Sequence, residues 1–175
     1  MSNYSVPEGP PAASTEQAQD LAPNTNYYLP AGLPIPMVEP AALYAPYWQG
    51  TRDETLKVQC NPATGVYQWP PQWITHDTQS FELEWVEVEP KGVIYSWTRV
   101  WHPIHPALKD AGPYIIVIVE LPHAGGIRML GNLLGDPHQT VEIGVEVEAV
   151  FEHHNDVAAP FTLVQWRVVS LDELS

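Results

Sequence analysis

The stretch VEIGVEVEAVFE, residues 141–152, limits this chain more than any other. Val141, Ile143, Val145, Val147, Ala149 and Phe151 fall on one side of an extended backbone, and Glu142, Glu146, Glu148 and Glu152 fall on the other. Alternation has a period of two, which a helix cannot satisfy and a half-exposed strand does. The segment predicts a strand with one face on a core and an acidic face in water. Such a strand needs partners, and the chain from Leu56 onward supplies them. FELEW (81–85) puts Phe81, Leu83 and Trp85 on one face, and at Val86 the apolar phase slips by one residue, predicting a bulge or a change of sheet. GVIYSWTRVW (92–101) and FTLVQWRVV (161–169) are rich in β-branched and aromatic residues. YIIVIVEL (114–121) is apolar without alternation, which predicts a strand covered on both faces, and IRMLGNLLG follows the turn at Gly125–Gly126.

Short strands with Gly and Pro turns, and no long helix between them, predict a mainly β protein. A C-terminal five-stranded Greek-key barrel of OB type is the economical closure. Ahead of the barrel the chain changes character three times. Residues 1–26 are rich in Pro, Ser, Ala and Gln, predicting a disordered tail. Residues 27–56 begin with an extended arm, because Pro30, Pro34, Pro36 and Pro40 exclude a regular helix; the arm lies on a surface, the protein's own or a partner's. One or two short N-terminal helices follow, Ala41–Tyr44 forming a turn, Pro46 starting another and Gly50 stopping it. Residues 57–80 form a small hairpin in which LKVQCN and VYQWPP flank a turn at Pro62–Gly65, and residues 81–170 form the barrel.

Charge and motif content narrow the function. Twenty-one acidic residues against seven basic ones give a formal charge of −14, and the seven cations are scattered. Nucleic-acid binders draw much of their affinity from a basic face, so the charge argues against a role on DNA or RNA, which stands only as the alternative for an OB module. The apolar run at 114–119 is too short to cross a bilayer, no apolar leader precedes the fold, and one cysteine makes no internal bridge; the expected setting is cytoplasmic. No nucleophile elbow, dinucleotide fingerprint or phosphate loop is present. Cys60 lacks a cationic neighbour on its own strand face to ionise it. His102 and His105 sit in a proline-flanked loop, and His153–His154 are read as loop residues as well. The sequence therefore predicts no catalytic residue and no directly bound cofactor.

Several pieces stand in a fixed order: PYWQG, CNPATGVYQWPP, LEWVEVEPKGVIYSWTRV, GPYIIVIVEL, GNLLG, VEIGVEVEAVFE and FTLVQWRV. Over residues 28–169 this resembles the OB-fold acyl-CoA-associated family, whose members join a rubredoxin-like zinc ribbon to an OB barrel. The resemblance implies ligand positions at Cys60, Ala63, Thr75 and Thr78, with Pro70–Pro71 after the first strand. Three of those four positions hold no cysteine, so the ribbon reads as degenerate and metal-free, zinc is not expected, and Tyr67, Trp69, Trp73 and Ile74 are expected to supply apolar mass instead. The resemblance further implies an accessory subunit in a hetero-oligomer with a thiolase-like or aldolase-like acyl-CoA enzyme, meeting acyl-CoA through that partner. Tyr44, Tyr47, Trp48, Trp69 and Trp73 are the candidate interface residues. For the first three, docking onto the protein's own barrel is the equal alternative.

Overall fold

The computed structural model describes residues 27–30, 32–36, 38 and 43–169; the tail expected at 1–26 and the helical turn expected to begin at Ala41 and Ala42 lie outside them. Helix α1 (Ala45–Arg52) is followed by strands β1 (Leu56–Cys60), β2 (Tyr67–Gln68), β3 (Glu84–Val88), β4 (Lys91–Val100), β5 (Tyr114–Leu121), β6 (Ile127–Asn132), β7 (Glu146–His154) and β8 (Phe161–Val168). They build a three-stranded sheet, β2-β1-β3, and a five-stranded sheet, β6-β5-β4-β7-β8, with antiparallel pairing throughout. The larger sheet curls until its ends meet. Leu133, just past β6, makes a parallel bridge to Trp166 of β8, and the Leu134 amide donates to the Trp166 carbonyl at 2.7 Å. This is the expected OB barrel.

Its interior explains β5. Ile115, Val117, Val119 and Leu121 point inward and are fully buried, whereas Tyr114, Ile116, Ile118 and Glu120 are only partly covered. The strand is thus covered on one face and half-covered on the other, because a barrel wall has a single interior. The strand expected over 141–152 also shifts. Gly144, at φ 88°, turns the chain so that its amide reaches the Ile94 carbonyl, and Ile143 is left exposed. β7 therefore starts at Glu146 and runs through His153 and His154, which pair with Thr162 and Phe161 as strand residues.

The phase slip at Val86 marks no bulge. Trp85 and Val86 both lie in β3, which pairs with β1, and the change of sheet comes at Glu89–Pro90 before β4 begins. Phe81 precedes the strand and is 81% exposed. The bulge lies in β4 at Tyr95, between the pairs Ile94–Val119 and Ser96–Ile118. In α1, Pro46 occupies the first turn as expected, but Gly50 does not stop the helix. It is buried in the helix where a Cβ would come within 2.8 Å of the Thr55 carbonyl oxygen. Close approach is the reason for glycine there.

Gly92 in β4 is the tighter case. A Cβ at this position would lie 2.4 Å from the Glu120 carbonyl oxygen and 2.5 Å from Val119 Cγ1. Both neighbours belong to the central β4–β5 pair, so backbone would have to move. Gly92→Ala is expected to cost about 1–3 kcal/mol, seen as a lower urea midpoint at unchanged slope.

The arm begins on the protein's own barrel. The Tyr28 amide donates to Glu152 Oε2 at 2.9 Å, and the Tyr27 hydroxyl donates to Asp156. His154 lies between the Tyr27 ring at 3.8 Å and the Phe161 ring at 4.4 Å, with its Nε2 2.7 Å from Glu152 Oε1. Glu152, expected on a solvated acidic face, instead anchors this stack. Glu148 likewise accepts from Arg167 at 2.6 Å.

Candidate functional site

The small sheet carries the residues that the sequence singled out, and its interior is polar. Gln59, Asn61, Gln68 and Thr75 are 2%, 2%, 5% and 1% exposed. A buried amide is costly unless every group finds a partner, and here they do. Gln59 Nε2 donates to the Gln72 carbonyl and its Oε1 accepts from the Gln72 amide. Gln68 Nε2 donates to the Ile74 carbonyl, and its Oε1 accepts from the His76 amide at 2.8 Å. Asn61 Nδ2 stands 3.1 Å from both Asp77 carboxylate oxygens and from Thr78 Oγ1. Thr64 Oγ1 donates to Asp77 Oδ2 at 2.6 Å, and the Thr78 amide donates to Asp77 Oδ1 at 2.8 Å. These donors, Thr64 first and then Asn61, hold the Asp77 carboxyl down at about 2.

The apolar mass expected to stiffen this hairpin is therefore placed elsewhere. Trp73 is 68% exposed and Ile74 43%, so neither fills the hairpin. Tyr67 and Trp69 pack against the barrel core, and Tyr47 joins them, its ring 4.9 Å from that of Trp69. Burial pushes the Tyr47 hydroxyl up to about 12. Trp48, half-buried, meets Tyr47 edge-on at 5.2 Å. Of the five interface candidates, Tyr47 and Trp69 thus lie together between α1, the hairpin and the barrel, Trp48 flanks them, and Tyr44 and Trp73 face outward. Sequence reasoning missed Phe81, which it placed on a strand face; with Val66, Trp73 and Ile74 it makes four exposed apolar side chains on the small-sheet segment. The one signal for it was its position among Ser80, Glu82 and the polar turn, where no neighbour could cover it.

The residues tested for catalysis have other work. Burial, then the Glu84 and Asp77 charges, push the Cys60 thiol up, which disfavours the thiolate needed for attack or for metal binding. His105 Nδ1 accepts from the Ala107 amide and caps a short 3-10 turn at Pro106–Leu108. His153 bonds Thr162 Oγ1 at 2.9 Å and Glu54 Oε1 at 3.1 Å. His102 is exposed. Cations are engaged as well. Arg99 donates to the Pro137 and Gln139 carbonyls between the Trp97 and Trp101 rings, and Arg128 lies over Tyr95 while pairing with Glu120.

The positions implied as zinc ligands do not fit the metal. Ala63 has no donor side chain, the Thr75 and Thr78 hydroxyls are bonded to each other at 2.8 Å, and Cys60 alone of the four positions offers a thiol. A structural zinc site takes four N, S or carboxylate donors. Among the described residues no group of three or more His, Cys, Asp or Glu is placed to hold an ion. No helix among them is long and apolar enough to cross a membrane.

A closed five-stranded barrel with a small sheet packed beside it defines an OB-fold protein with an appended hairpin module. Residues 85–152, which span β3 to most of β7, match the family model of the ChsH2 C-terminal OB-fold domain, in agreement with the resemblance read from the sequence. The chain is 29% identical over 138 residues to the 3-oxo-4,17-pregnadiene-20-carboxyl-CoA hydratase alpha subunit of Mycobacterium tuberculosis, covering 71% of this chain and 42% of that one. It is 37% identical over 99 residues to a DUF35 domain-containing scaffold protein of Methanocaldococcus jannaschii, covering 55% of this chain and 66% of that one. Among solved structures, a chain of the Ltp2-ChsH2(DUF35) aldolase superposes with a TM-score of 0.62 at 28% identity, over 77% of this chain and 98% of that chain. The chain spans less than half the length of the hydratase alpha subunits it matches, 30% and 42%.

Proposed function

We propose that this chain is a non-catalytic accessory subunit that binds and stabilises a thiolase-like acyl-CoA enzyme, of the lipid-transfer-type thiolase, retro-aldolase or acyltransferase kind, in lipid or steroid side-chain metabolism. The observation that carries the reading is the exposure of two large aromatic side chains on the small-sheet segment, Trp73 at 68% and Phe81 at 81%, beside a hydrogen-bonded polar interior. Large aromatic side chains in water, on a rigid base, are what a protein interface uses as anchors. The likeness to a chain of an aldolase and to scaffold proteins supports it. Trp73 and Tyr44 are the direct contacts in this reading, with Phe81 and Ile74 beside them. Tyr47, Trp48 and Trp69 hold α1 and the hairpin in place behind them.

The hetero-oligomer is cytoplasmic in this proposal, and acyl-CoA is met through the partner's site, with no cofactor held by this chain alone. Enzyme assays test the division of labour. Isolated chain should give no acyl-CoA turnover, and the activity of the thiolase-like subunit should survive longer at assay temperature when this chain is added. Turnover by the isolated chain that disappears in a His153→Ala or Cys60→Ala variant would overturn the non-catalytic role.

A further inference from the structure

Two turns form the free end of the small sheet. In the first, the Gly65 amide donates to the Asn61 carbonyl at 2.8 Å and the Asn61 amide to the Val66 carbonyl at 2.9 Å. In the second, the Thr75 amide donates to the Ser80 carbonyl at 2.8 Å and the Gln79 amide to the Thr75 carbonyl at 3.0 Å. With Cys60 at the end of β1, these turns carry the four positions at which the resemblance implies a metal. Among the hydrogen bonds joining them, those of Asn61 and Thr64 from the first turn converge on Asp77 and Thr78 of the second. Thr78 then passes the connection on to Thr75 Oγ1, which also accepts from the Ser80 amide at 2.9 Å.

We propose that this knot of Asn61, Thr64, Asp77, Thr78 and Thr75 takes the place of the metal, fastening the two turns together by side-chain hydrogen bonds where the resembling ribbons use a zinc ion. The chemistry of the exchange is coherent. A carboxylate that accepts several bonds can gather donors from two loops as a cation gathers anionic ligands. The donors come from Asn, Thr and backbone amides, which need no redox protection and no metal supply. Asn61, buried and facing Asp77, would be orphaned by loss of the carboxylate, so the knot should fail as a unit rather than bond by bond. The inference goes beyond the accessory-subunit reading and does not depend on it.

Amide hydrogen exchange on the isolated full chain, with elemental analysis of the same sample, tests the knot. In Asp77→Ala and in Asn61→Ala, the Thr75, Gln79 and Ser80 amides should exchange at least about tenfold faster than in wild type as the turns open locally. The β5 amides from Ile115 to Leu121 should be unchanged, which shows that the barrel is folded. Thr64→Val, a milder change, should give a smaller acceleration at the same three amides. A metal chelator should leave wild-type exchange as it was, and purified protein should carry well under one zinc per chain. Stoichiometric zinc with chelator-induced opening overturns the inference, and so do turn amides unaffected by both alanine substitutions. Since no partner is present, a failure of the partner reading leaves the outcome of this experiment untouched.

Discussion

Trp73→Asp is expected to weaken association with the proposed thiolase-like partner by about 30-fold or more, equivalent to about 2 kcal/mol, the scale of an interface hot spot. The same substitution should leave the thermal midpoint of the isolated chain nearly unchanged, because surface changes away from packed features cost within about 0.5 kcal/mol. The ring is 68% exposed and holds nothing in the barrel core, so the fold does not depend on it. Isothermal titration of the variant against the partner reads the first effect and calorimetric melting the second. Trp69→Asp would be a poor test of the same idea, since Trp69 packs on the core and against Tyr47 and its loss would confound binding with unfolding. Wild-type affinity in the Trp73 variant would remove this side chain from the interface.

The largest effect on the fold itself belongs to Trp166. It is fully buried in the barrel, its carbonyl holds the closure with Leu134, and its ring lies so close to Gly131 that a Cβ there would meet Cδ1 at 2.6 Å. Its Nε1 finds no hydrogen-bond partner among the described residues, so the ring is retained for shape rather than for polar satisfaction. Trp166→Ala should therefore cost about 3–5 kcal/mol, the range for emptying an aromatic from a tight core. Against a total stability of about 5–15 kcal/mol, that leaves a marginal barrel. Chemical denaturation should show the loss directly; a change under about 1 kcal/mol would mean that the cavity collapses freely, which the close packing against Gly131 does not allow.

The barrel was legible because its strands are long and periodic, and Val147, Phe161 and the inner residues of β5 are placed inward by alternation and apolar runs. What failed were decisions made by single residues. Gly144 turns the backbone at a positive φ and ends an alternating pattern that otherwise continues unbroken. Gly50 looked like a helix stop and is a close contact instead. His153 and His154 looked like loop residues because no apolar neighbour marks them, yet pairing with Thr162 and Phe161 keeps them in β7. The hairpin shows the deepest gap. Asn61, Thr64, Asp77 and Thr78 are ordinary turn residues in sequence, and only folding shows that the two turns face each other and share one carboxylate. The resemblance led to an expectation of apolar mass around this hairpin, whereas in the structure the Thr75 and Thr78 hydroxyls bond each other, Tyr67 and Trp69 pack on the barrel core and Trp73 faces outward.

Partnership is the central claim, and light scattering on a size-exclusion column tests it most directly. The chain is co-expressed with the thiolase-like subunit of its own source organism, and the molar mass of the eluting species is measured with and without Trp73→Asp. The account predicts one hetero-oligomer of defined stoichiometry for the wild-type chain and separate elution of the two proteins for the variant. Separate elution of the wild-type chain from that subunit, with both proteins folded, would contradict it.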